Sequence, residues 1–111
     1  MQINAKAILK NLRGQYLINE EKIPLTTGEA LSNILLNDRV GGIMKCFILA
    51  EKLFKDETVE IDEADLSLVK DSIQRTELYN NLVSGQLLIF IEKNKNMSKW
   101  LLEVNPIVSN I

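Results

Sequence analysis

The chain contains no histidine. That removes the commonest general base and the commonest ligand of zinc and iron sites, so acid–base chemistry would have to rest on Asp, Glu, Lys or Tyr. The single cysteine, Cys46, cannot form an internal disulfide, which suits a reducing compartment. No apolar run approaches the roughly 18 residues of a spanning helix. None is longer than Leu87-Leu88-Ile89-Phe90-Ile91, and Lys6 and Lys10 stand where a signal peptide would place its apolar core. A cytoplasmic protein is therefore expected, with no membrane partner. Basic residues are not in excess: 13 Lys and Arg face 15 Asp and Glu, which provides no reason to expect a nucleic-acid binder. With these absences the chain is expected to be no enzyme, to carry neither cofactor nor metal, and to work by binding.

What is present is the material of one globular domain. The 111 residues are 46% hydrophobic and 25% charged, which argues against wholesale disorder. Folding at this length hides roughly two-thirds of the unfolded chain's surface, enough to hold a core without disulfides. A single domain over 1–111 follows, with a hairpin over 2–18 and a helical part over 26–104. No internal repeat, low-complexity tract or linker is visible.

Ile3, Ala5, Ala7 and Leu9 alternate with polar residues, broken only by Ile8, which reads as a half-buried strand over 2–10. Gly14 supplies the positive φ of a hairpin turn, and Tyr16-Leu17-Ile18 would return beside the first strand. Pro24 limits Ile23-Pro24-Leu25 to extended chain. From Thr26 the period changes. Thr26-Thr27-Gly28-Glu29 has the form of a capping box opening a helix over 27–37. Asn37-Asp38-Arg39-Val40-Gly41-Gly42 ends that helix. A glycine-rich turn can hold an anion, but no lysine follows these glycines as in a phosphate loop, so a plain turn is expected.

A second helix over 42–55 places Ile43, Phe47, Ala50 and Phe54 on one side, with Met44, Ile48 and Leu49 close by. So wide an apolar arc marks a central helix or one at an interface. Cys46 lies inside it and is expected to be buried and inert. Val59-Glu60-Ile61 reads as a short strand, and Asp62 as the cap of a third helix with Leu66, Val69 and Ile73 on its apolar stripe. A fourth helix over 77–93 and a short one near 98–102 complete an α+β domain: an N-terminal β-hairpin packed on a bundle of four to five helices.

Two surfaces are candidates for partner contact. Asp56, Glu57, Glu60, Asp62, Glu63 and Asp65 crowd carboxylates into ten residues without the spacing of a calcium loop; helix capping and a solvated loop are the ordinary explanation of such a run. Trp100 with Leu101 and Leu102 forms an apolar group that either closes the core or docks a partner, Trp being common at interface hot spots. Lys6, Lys10 and Arg13 share the exposed side of the first strand, where charge guards a sheet edge.

The element order, together with Pro24-Leu25-Thr26-Thr27-Gly28-Glu29-Ala30-Leu31, Val59-Glu60-Ile61-Asp62-Glu63-Ala64-Asp65-Leu66 and Leu82-Val83-Ser84-Gly85-Gln86-Leu87-Leu88, resembles short proteins encoded by tailed phages and prophages, over about residues 3–93. The resemblance implies a small binding protein that acts on a host protein, such as a defence inhibitor of the anti-CRISPR kind. It also admits a homo-oligomeric virion assembly or accessory protein or chaperone. A small-ligand-binding protein is the third expectation.

Overall fold

The computed structural model describes residues 2–92, an α+β arrangement of four helices and a two-stranded antiparallel sheet. Strand β1 (Gln2–Asn4) is followed by helices α1 (Thr27–Leu36) and α2 (Ile43–Lys55), strand β2 (Thr58–Glu60), helix α3 (Glu63–Arg75) and helix α4, over 81–92 within the described residues. Trp100, Leu101 and the short helix expected near them lie outside the described residues.

The antiparallel pair expected at the N-terminus is present, but its second strand is not the segment 16–18. β1 pairs with β2, setting Gln2 opposite Glu60, Ile3 opposite Val59 and Asn4 opposite Thr58. The expected strand over 2–10 stops after Asn4. The Asn4 side-chain oxygen accepts from the Lys6 amide at 3.0 Å, and the chain turns there. Ile3 and Val59 point inward and both are buried.

Residues 8–26 instead form a closed triangle of three short arms. Ile8 bridges Thr26, Lys10 bridges Tyr16, and Ile18 bridges Pro24. The central leucines pass hydrogen bonds round the ring: the Leu9 amide donates to the Leu25 carbonyl, Leu25 to Leu17, and Leu17 to Leu9, at 2.8–2.9 Å. The two corners within it are alike. The Asn11 side-chain oxygen accepts from the amides of Arg13 and Gln15, and that of Asn19 accepts from Glu21 and Ile23. Gly14 (φ +81°) and Lys22 (φ +64°) occupy the same place in each corner, both in the left-handed region. The unit thus repeats every eight residues through Leu9, Leu17 and Leu25, which overturns the expectation of no internal repeat. Only Leu and Asn recur at matching places in the two full units, too little to be visible in the sequence.

Thr26 caps α1 by accepting from the Glu29 amide at 3.1 Å. The reciprocal half of the capping box is not made. Both Glu29 carboxylate oxygens accept from the Asn19 side-chain amide at 3.0 Å, tying the triangle to the first turn of α1. Gly28 stands where a Cβ would lie 2.2 Å from the Leu53 carbonyl and 2.7 Å from the Ala5 Cβ, so only glycine lets α1 start this close to α2. Asp62 caps α3 at 2.8 Å, as its position predicts. The fourth helix begins at 81 rather than 77. Thr76 accepts from the Leu78 amide, and Asn80 accepts from Val83 as the cap.

α1 packs against both α2 and α3. Leu31, Ile34 and Leu35 meet Leu49, Ala50 and Leu53, with Val69 and Ile73 of α3 and Leu87 and Ile91 of α4 in the same core. The Gln86 side chain fixes α4 to the triangle. Its oxygen accepts from the Lys10 amide at 3.0 Å, and its nitrogen donates to the Lys10 carbonyl at 2.5 Å. A loop carboxylate closes the other end. Asp38 accepts from the Ser72 hydroxyl, from Arg75 at 2.6 Å and from the Val40 amide at 2.9 Å.

Candidate functional site

α2 carries apolar residues on two sides. Cys46, Leu49, Ala50 and Leu53 face the core. The opposite side leaves Ile43 (84% exposed), Met44 (71%), Phe47, Ile48 and Phe54 in solvent, with Val40 just before the helix. The wide arc read from the sequence is therefore split: Ala50 faces inward, while Ile43, Phe47 and Phe54 face outward. Lys45 pairs with Asp65 at 3.1 Å, and Lys55 with Glu51 at 3.2 Å. Large apolar side chains concentrated on one helix face are a feature of docking surfaces.

A cleft of about 840 Å³ lies beside the C-terminal end of this helix. Its walls are the second triangle arm and its corner (Ile18, Asn19, Glu20, Glu21, Ile23), α1 residues Glu29 and Asn33, Phe54 of α2, and Leu78 and Tyr79. The Asn33 side-chain amide donates to the Tyr79 hydroxyl oxygen at 3.0 Å, which leaves the hydroxyl proton available. No lysine or arginine among the described residues pairs with Glu20, Glu21 or Glu29. A second cleft of about 590 Å³ adjoins it, sharing Asn37 and Leu78 and running along Asp38, Arg39 and Arg75.

The acidic run is spread along a connection. Asp56 ends α2, and the Glu57 carbonyl accepts from the Ala5 amide at 2.9 Å. Glu60 stands opposite Gln2 in the sheet, Asp62 caps α3, and Glu63 lies in its first turn. All five side chains are exposed. Among the described residues no group of three or more Cys, Asp or Glu is arranged to hold a metal ion, and no helix is long and apolar enough to cross a membrane.

Burial would raise the Asp38 pKa, but the hydrogen bonds from Ser72, Arg75 and Val40, with the charge of Arg75, outweigh it and bring it to about 2. Asp38 is thus an ionised strut between the α1–α2 turn and α3. Cys46 is buried, and that burial, with the Asp38 charge, pushes its thiol pKa up against the opposing pull of Arg75. Such a thiol stays protonated and inert.

The outward face of α2 was legible in part, since its apolar arc is too wide for one buried stripe. The cleft left no signal in the sequence. Its walls come from four separated stretches, each ordinary when read alone. No known protein family, curated protein or solved structure matches the chain.

Proposed function

We propose that this domain is a non-enzymatic binding module that docks a protein partner on the outward face of α2. The observation that carries the reading is the second apolar face of that helix. Leaving a large apolar side chain in water forgoes about 1.5–3 kcal/mol of burial, and Ile43, Met44, Phe47 and Ile48 stand together on two turns. Association with a partner recovers that burial. Asp56 and Glu57 follow directly on Phe54 and Lys55, so the acidic stretch serves as a charged rim at one end of the face. The resemblance to phage and prophage proteins makes a host protein the partner, and inhibition of a defence system of the anti-CRISPR kind the leading form of the activity.

A second copy of the chain is the alternative occupant, because one helix face can meet itself across a two-fold axis. That reading supports a virion assembly or accessory role. A photo-crosslinking amino acid in place of Phe47, activated in host cells, separates the two. A discrete product with a different protein, lost when Met44→Asp is added, supports the binding module. A product of twice the chain mass supports self-assembly. No product from a correctly folded chain refutes the docking face.

A further inference from the structure

The triangle of residues 8–26 turns two sets of backbone groups outward, one at Lys10, Ile18 and Thr26 and one at Ile8, Tyr16 and Pro24; in the first set two of the three places are occupied by other parts of the chain. In each bridged pair the ring hydrogen bonds are made by the flanking residues. The backbone N–H and C=O of Lys10, Ile18 and Thr26 therefore turn away from their bridge partners. At Lys10 the carboxamide of Gln86 fills that edge, meeting both groups as a neighbouring peptide would. At Thr26 the carbonyl accepts from the Ala30 amide in the first turn of α1. At Ile18 neither group has a partner among the described residues, and Ile18 borders the larger cleft.

We propose that the Ile18 edge and its cleft bind an extended peptide segment bearing basic and apolar side chains. The domain shows on itself, at Lys10, that this edge geometry takes up an amide. A peptide amide at Ile18 would add a short strand to the second arm, a mode in which main-chain bonds supply affinity and flanking side chains supply specificity. The flanks state the chemistry. Ile18, Ile23, Phe54 and Leu78 are each about half exposed along the cleft and offer apolar contact. Glu20, Glu21 and Glu29 bring three carboxylates that no lysine or arginine among the described residues pairs with. Asn19 holds Glu29 through both oxygens and shapes the corner through its own side-chain oxygen, so the wall is set before a ligand arrives. This site shares Phe54 with the outward face of α2 and is otherwise built from the triangle, α1 and the 78–79 segment.

The test titrates the ¹⁵N-labelled full chain with a blocked hexapeptide alternating lysine and valine, followed by NMR. Saturable shifts centred on the Ile18 amide, with slowed exchange of that amide, are expected. Binding should weaken at least about tenfold when glutamate replaces lysine in the peptide. It should weaken as much when the peptide nitrogens on one of its two edges are methylated, and much less when the other edge is methylated. Absence of saturable shifts, shifts centred on α2, or indifference to both peptide changes would each overturn the proposal. Because only the peptide is altered, none of these outcomes depends on a variant folding.

Discussion

Lys22 holds φ +64° at the place where the first corner of the triangle has Gly14 at φ +81°. The left-handed region costs a side-chain-bearing residue about 1 kcal/mol, and Lys22 is exposed, so its side chain gives little in return. Lys22→Gly is expected to stabilise the domain by up to about 1 kcal/mol, and Gly14→Ala to destabilise it by a similar amount, read as opposite shifts of the urea midpoint. Asp38 gives a pH signature. Its folded pKa of about 2 lies below the ordinary carboxylate value of 3.8. The stabilisation is therefore fully present above about pH 4 and is lost as pH falls towards 2. The side chain is 5% exposed, and its contribution is about 1–2 kcal/mol. Asp38→Asn should lower stability at pH 6 and flatten its dependence between pH 4 and 2, as urea unfolding at several pH values will show. A variant as acid-sensitive as the parent would assign that sensitivity to other carboxylates.

At the scale of elements, α2 separates stability from binding. Leu53 is 1% exposed and faces α1 across the core, so Leu53→Ala is expected to cost about 2–4 kcal/mol. Phe47→Ala, on the outward side, is expected to change stability by less than about 1 kcal/mol while abolishing partner capture. Thermal unfolding of the two variants, and crosslinking with the photo-reactive residue moved to Ile48 in each, check the division. The periodicity of α2 could not reveal it, because nine apolar residues in thirteen leave more than one choice of buried stripe. The choice fell to Cys46, Leu49, Ala50 and Leu53, whose side chains meet α1 at the close approach that Gly28 permits. The fourth helix shows a local error of the same kind. Leu78 and Tyr79 fit a helical stripe, yet Thr76 and Asn80 bind nearby amides and delay the helix to 81.

For the whole molecule, the decisive contact joins the first described residues to the connection between α2 and α3. β1 and β2 are each three residues long, and an isolated pair of that size is marginal in water. They persist because Ile3, Val59 and Ile61 enter the common core. Ile3→Ala is expected to destabilise the entire domain by about 2–4 kcal/mol, with far-UV and near-UV signals lost together. Loss of the sheet alone, ahead of the helices, would show that it is an appendage.

Two helix starts, those of α1 and α3, and the α+β class followed from the sequence because capping is local. Thr26 and Asp62 need only an amide three residues on, and the apolar period of each helix is written in consecutive turns. Partners distant along the chain were a different matter. Alternation over 2–10 marks a chain that has an inner face, but it does not name the strand beside it. The triangle, the Gln86 clamp, the Asp38 strut and the Ile18 cleft are made by residues that meet only after the core has closed. Tertiary structure decided those features, because backbone and carboxylate groups take whichever partners the packed helices bring within hydrogen-bond reach.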